Sequence, residues 1–203
     1  LYWVESFGSQ SQWYKEHVIN KEFIEKCDGL REQTLRNYIL EQHKLAQKTQ
    51  STKSRQEVKD LYEKYFIEFH NNSQTHEMKF LYAEILYDLN MFEKALFQYE
   101  VVVKFHRESK HFENASKSLV ISAEKLLPKE EELQKNSNTT TEKIQLSAYE
   151  EKFIEVSKWY LDENPNIDKA PEIKFKMARL YYLHNYLDEA EVLLKDIIKS
   201  HPK

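Results

Sequence analysis

Eight histidines, one cysteine and thirty-four carboxylates are the residues with which this chain would do acid–base or metal chemistry. His17, His43, His70, His76, His106, His111, His184 and His201 stand in no HExxH motif and form no i, i+4 pair on one helix face, so the usual helical geometry for a metal ion is missing. Cys27 is alone, which rules out an intrachain disulfide and a cysteine cluster, and its expected place is in a helix face. With Gly8 and Gly29 as the only glycines there is no glycine-rich phosphate loop, and no serine sits in a nucleophile elbow. The run Glu130-Glu131-Glu132 precedes a polar stretch and reads as solvated chain. The expectation is a chain without catalysis, without a bound metal and without a cofactor.

Thirty basic against thirty-four acidic side chains give a net charge of −4, and the isoelectric point is near 6.1. No global positive field draws such a chain to nucleic acid or anionic lipid. Arginine stands only at Arg31, Arg36, Arg55, Arg107 and Arg179, and lysine lacks the planar fork that reads guanine. There is no run of 18 apolar residues and the mean hydropathy is −0.78, so no segment is expected to insert in a membrane. Because the chain begins at Leu1, a leader, a lipid-bearing start or another domain is allowed for ahead of it.

With 203 residues, 40% of them hydrophobic, and only two glycines and four prolines, the chain is too apolar for disorder and too poor in turns for an all-β protein. Helices must position whatever the chain presents. The spacing predicts one over Gln12–Lys26, stopped by Asp28-Gly29, and a second over about Leu30–Thr49. Ser54 and Glu57 have the form of a capping box ahead of the stripe Val58, Leu61, Tyr62, Tyr65, Phe66 and Phe69. Helices over Glu77–Leu89 and Phe92–Phe105, parted by Asn90-Met91, make a hairpin. Phe112–Leu127 is closed by Pro128, and Lys129 to Ile144 reads as a mobile loop. Ser147 and Glu150 form a second capping box, Asn164-Pro165 ends that helix, and Pro171 opens the next, which runs to about His184. A last helix covers Leu187–Lys199. The N-terminal aromatics Trp3, Trp13, Tyr14 and Phe23 either cap the end of the array or form an interface patch, and capping is the preferred reading.

Self-comparison is the most informative step. Glu77, Lys79, Phe80, Ala83, Tyr87, Asn90 and Ala95 recur, 95 residues on, as Glu172, Lys174, Phe175, Ala178, Tyr182, Asn185 and Ala190. Upstream, Lys64–Glu68 is matched to Lys158–Asp162. The chain is a duplicated multi-helix unit, expected as one domain over 1–203: N-terminal helices 1–52, a first unit 53–128, a polar loop 129–146 and a second unit 147–203.

Within these hairpins small residues fall at the helix crossings and large ones flank them, which resembles the tetratricopeptide repeat. Pro171 to Pro202 fits its roughly 34-residue pattern, with Met177-Ala178, Tyr181, Ala190, Leu194 and Ile197 at the pattern's places and Pro202 at its end. His76 to Ser109 fits with Tyr82-Ala83, Leu86, Ala95, Tyr99 and Val102, but has Arg107 where proline is usual. Both lack the early tryptophan, having Lys79 and Lys174 instead, and Phe112-Glu-Asn-Ala115 is a trace of another repeat. The sequence rhythm is also similar to delta-proteobacterial cell-envelope repeat proteins, of the outer-membrane assembly lipoprotein and gliding-motility kinds.

The resemblance implies an all-α, right-handed superhelical array of antiparallel hairpins acting as a protein-binding adaptor or scaffold, in the periplasm or at the outer membrane, with the cytoplasm as the alternative. The family's concave positions fall on Glu77, Phe80, Glu84, Tyr87 and Asp88, and on Glu172, Phe175, Arg179, Tyr182 and Leu183. Aromatic anchors among charges suit a partner's peptide or helix; the opposing reading is that Phe80, Tyr87, Phe175 and Tyr182 only pack against neighbours. The clamp that the family uses for acidic chaperone tails is absent, since Phe80, Glu84, Phe175 and Arg179 stand at its places. Two other classes remain open: a docking or regulatory segment of a larger enzyme, and a module that self-assembles into a homo-oligomer through its open ends.

Overall fold

A computed structural model describes residues 2–70, 72–129 and 142–200; nothing is described of the Trp3 side chain. The described residues are all-α: ten helices and no strand. They divide into two compact units, residues 1–111 and 112–203. The division falls at His111–Phe112, at the start of a helix, and not in the 129–146 loop.

The first unit holds α1 (Tyr2–Ser6), α2 (Gln12–His17), α3 (Lys21–Thr49), α4 (Thr52–Glu68), α5 (Thr75–Asp88) and α6 (Phe92–Phe105). α3 pairs with α4 and α5 with α6, while α4 also packs on α5 and α1 on α3. The long helix α3 is the main departure from the sequence expectation, for it runs straight through Asp28-Gly29. One helical glycine costs about 1 kcal/mol, less than the burial of Leu35, Ile39 and Ala46 further along the same helix returns. The segment 12–26 is accordingly split: α2 ends at His17, and Asn20 caps α3 by accepting from the Phe23 amide. The cap of α4 is Ser51, whose hydroxyl accepts from the Ser54 amide, and not the expected Ser54. Ser51 follows directly on Gln50, held at φ 52, so the tight α3–α4 turn leaves no room for a later start.

The core of this unit is rich in tyrosine, and every buried hydroxyl needs a partner. Tyr65 donates to Glu32 at 2.6 Å, Tyr62 meets His43 Nδ1 at 2.8 Å, and Tyr82 donates to Glu63 at 2.8 Å. Burial pushes all three phenol pKa values up. Arg31 is buried under α1; it donates to the Val4 carbonyl, pairs with Asp28 and Glu68, and lies over the Phe69 ring. At the N-terminal end Phe7, Trp13, His17 and Phe23 form a half-exposed ring cluster, while the residue of α1 that α3 buries is Val4.

Three histidines of this unit are held below their ordinary pKa. Burial lowers His43 against the weak pull of Asp88; burial and then His76 lower His106 against Glu108; burial and then Lys110 lower His111 against Glu77. A histidine depressed in the folded state takes its proton more readily when unfolded, so this stability is present above about pH 6.5 and is lost as pH falls through and below that value. Glu84, raised by burial, works the other way at lower pH. Urea midpoints of the first unit are expected to drop between pH 7.5 and 5.5, and a combined His43→Gln, His106→Gln, His111→Gln variant is expected to flatten that slope.

The second unit holds α7 (Phe112–Lys125), α8 (Ala148–Glu163), α9 (Ala170–Leu183) and α10 (Leu187–Ser200). α7 packs on α8, α8 on α9, and α9 pairs with α10. The expected capping box is present: Ser147 Oγ accepts from the Glu150 amide and the Glu150 carboxylate accepts from the Ser147 amide. Of the expected loop, residues 130–141 lie outside the described residues. Its end is fastened to the α9–α10 turn, where Ile144 N donates to His184 O at 3.0 Å and Asn185 Nδ2 to Glu142 O at 2.7 Å.

The duplication is written into the backbone. α5 and α9 are both 14 residues long, as are α6 and α10, and each pair keeps the 95-residue spacing. Asn90 and Asn185 take φ 59 and 62, a left-handed conformation that asparagine tolerates well. Each closes a Schellman motif, with Met91 N on Leu86 O at 2.9 Å and Tyr186 N on Tyr181 O at 2.8 Å. Ala83, Ala95, Ala178 and Ala190 are all buried. The spacing extends upstream, since Phe69 N donates to Tyr65 O and Asn164 N to Tyr160 O. Lys64–Glu68 therefore aligns one residue later than the sequence match to Lys158–Asp162 has it: Tyr65 matches Tyr160. No helix of the described residues is long and apolar enough to cross a membrane.

Candidate functional site

Within the second unit, α7 and α9 present facing stripes. Glu113, Lys117, Val120, Glu124 and Leu127 recur at helical spacing along one side of α7 and its C-terminal end, and Glu172, Lys176, Arg179 and Leu183 along one side of α9. A cleft of about 300 Å³ lies between them over a floor of Val120, Ile121, Tyr160, Ile167 and Ile173. A second cleft of about 230 Å³ is bounded by Leu127, Pro128, Arg179, Leu180 and Leu183. Glu124 and Lys176 line both, and their ion pair at 2.8 Å crosses the space between. Burial works against the Lys176 charge, but the carboxylates of Glu124 and Glu172, each at 2.8 Å, hold its pKa above the ordinary lysine value. The pair is part-exposed, so breaking it costs little and a ligand able to replace it meets a low barrier. The clefts combine an apolar floor with a rim of mixed charge. Among the described residues no three His, Cys, Asp or Glu side chains come together as a metal set.

The ten residues singled out in the sequence divide sharply. On α5 each is engaged inside its own unit. Glu77 pairs with Lys110 at 3.0 Å, Phe80 stacks on His111 with ring centroids 4.3 Å apart, and Glu84 accepts from the Tyr99 hydroxyl. Tyr87 meets the Phe92 ring edge-on at 5.2 Å, and Asp88 pairs with Arg55 at 3.2 Å. Phe80 is only 7% exposed, which makes it a packing residue. On α9 the two matching aromatics are open: Phe175 is 55% and Tyr182 61% exposed. Glu172 and Arg179 line the clefts beside them, and Leu183 is buried at the floor of the second. Phe175 and Tyr182 stand two turns apart on α9, displaced around the helix from Arg179 on the side away from Lys176.

Sequence reasoning missed the α7 side, Glu124 above all, and the Lys176 that meets it. Its signal was the charged i, i+4 spacing of Glu113 and Lys117 on a helix whose other face is apolar, which without a partner helix reads as ordinary solvated surface. It also missed how each unit ties its hairpins together. Arg55, near the start of α4, meets Asp88 at the end of α5; Glu150, 95 residues after Arg55 and near the start of α8, meets His184, one place past the counterpart of Asp88, at 2.9 Å. The second pair is buried, with side chains 2% and 8% exposed. Neither a protein-family model nor a curated protein sequence matches this chain.

Proposed function

We propose that the chain is a non-catalytic protein-binding adaptor of tetratricopeptide-like build, its hairpins continuing one another in a right-handed array and receiving a peptide or helix of another protein. The observation that carries this reading is the open pair Phe175 and Tyr182 beside the α7/α9 clefts, while their counterparts Phe80 and Tyr87 are occupied within the fold. Large rings exposed at helical spacing next to a mixed-charge rim have the composition of a binding hot spot: much buried area at low entropic cost. The partner segment suited to it carries two or three apolar side chains and charges of both signs. The resemblance to envelope repeat proteins favours the periplasm or the outer membrane for such a complex, with the cytoplasm as the alternative.

Capture of partners from the source cells with the wild-type chain and with Phe175→Ala, Tyr182→Ala tests the reading, because both rings are exposed and their loss leaves the fold intact. An envelope protein held by the wild type is expected to bind about tenfold or more weakly to the double variant. The same proteins retained equally by both would overturn it. Phe80→Ala serves as the contrast: it is expected to lower stability without a specific loss of partner.

A further inference from the structure

The chain leaves α6 through residues 106–111, which lie against the start of α5. His106, the first of them, stacks on His76 with ring centroids 4.8 Å apart and planes 25° from parallel. His111, the last, lies flat on the Phe80 ring at 4.3 Å and 11°. Between them Lys110 pairs with Glu77 at 3.0 Å. Ser109 N donates to His106 O at 3.0 Å and His111 N to Ser109 Oγ at 3.2 Å, so these amides bond within the connection and not to α5.

Two imidazole faces carry this contact with α5, for the Lys110–Glu77 pair is part-exposed and contributes little. Imidazole is the side chain whose ordinary titration falls between about pH 5 and 8. The surroundings of both rings oppose the charged form. Burial, then His76, and more weakly Lys79 hold His106 below its ordinary pKa against Glu108, whose carboxylate lies 3.7 Å from Nδ1. Burial, then Lys110, and more weakly His76 hold His111 down against Glu77. Arg107 adds a positive charge within the connection, and Lys104 at the end of α6 is paired with Glu100. Glu113, two residues past His111, lines the α7/α9 cleft instead. A proton is therefore resisted while the connection is closed and accommodated once it is open.

We infer that residues 106–111 form an acid-released strap: protonation of His106 and His111 lifts them from α5 and uncovers the buried Phe80 ring, while the helices of the unit stay folded. Because the open form takes these protons more readily, opening rises as pH falls through and below about 6.5 and is suppressed above it. Only the contacts just named must part, so this local opening precedes the loss of stability expected of the whole unit on acidification.

Hydrogen exchange of single amides, followed by NMR at pH 7.5 and 5.5 and expressed as protection against the unstructured rate at each pH, tests this. Over that interval a histidine freed on opening favours the open form by at most about tenfold, so the two together allow about a hundredfold. Protection at Ser109 and His111 is expected to fall by about tenfold or more, while Tyr99 and Val102, inside α6, keep theirs. The His111 amide belongs to the residue whose ring covers Phe80, so it reports the uncovering directly. His106→Gln, His111→Gln cannot take up the protons and is expected to show equal protection at both pH values; its α6 amides check that it is folded. Protection at Ser109 and His111 that does not change with pH in the wild type overturns the inference, and is the result if the Phe80 face holds the imidazolium in place. A fall shared equally by α6, or one that persists in the variant, overturns it as well. These readings need no partner, so they are independent of the adaptor reading.

Discussion

Glu150→Ala is expected to destabilise the second unit by about 3–5 kcal/mol, the range for removing one partner of a buried ion pair or hydrogen-bonded charge pair. Two structures fail together. The carboxylate accepts from the Ser147 amide in the capping box of α8 and also meets His184 Nε2 at 2.9 Å, with both side chains almost wholly buried. Loss of the cap alone costs about 1 kcal/mol. The rest comes from leaving the imidazole without an acceptor in a site that water scarcely reaches. Against a total stability of about 5–15 kcal/mol this is a large fraction. Trp159 is the only tryptophan in residues 112–203, so its fluorescence in urea follows this unit. Glu150→Gln, which keeps an acceptor of the same shape, is expected to lose less. A double-mutant cycle with His184→Ala is expected to show coupling of about 1 kcal/mol or more, and additivity would deny the pair its role.

The second large effect falls in the first unit. Arg31→Ala is expected to cost about 2–3 kcal/mol and to release α1. The guanidinium is itself buried, but Glu68 and Asp28 are part-exposed and regain water when it goes, which keeps the loss below that of a fully buried pair. What water does not restore is the bond to the Val4 carbonyl and the packing of the arginine stem over Phe69. Amide exchange of residues 2–6 is expected to rise to the rate of open chain while α5 and α6 keep their protection. Arg31→Met, which preserves the stem, separates packing from hydrogen bonding: recovery of the urea midpoint without recovery of α1 protection assigns the anchoring to the guanidinium.

Most of the helices were legible because one-sided apolar spacing and a stop signal coincide in them. Phe92–Phe105 and the Ser147 cap are seen in the sequence where the structure has them. The failures have local causes. Asp28-Gly29 carries a strong stop signal, but α1 and α4 supply contacts to Arg31 that hold the helix across it, and no reading of residues 28 and 29 alone contains that fact. Ser54 and Ser51 offer equally good caps, and the position of the left-handed Gln50 decides between them. The candidate site was half legible. A positional pattern finds Phe80 and Phe175 alike, because the two positions are identical in sequence. What separates them is His111, which lies outside the hairpin that holds Phe80.

The opposite polarity of the two ties has a consequence for how a duplicated chain finds its own partners. At the matched places Arg55 and Glu150 the ties differ in sign: the first unit sets a cation on α4 against Asp88 at the end of α5, and the second sets a carboxylate on α8 against the His184 imidazole, one place further along. A helix exchanged between the copies during folding would bring Arg55 to His184, or Glu150 to Asp88. The first places a guanidinium on an imidazole, and the second a carboxylate on a carboxylate. Hairpins of the same length that share seven matched places invite domain swapping, and this inversion disfavours the swapped pairing.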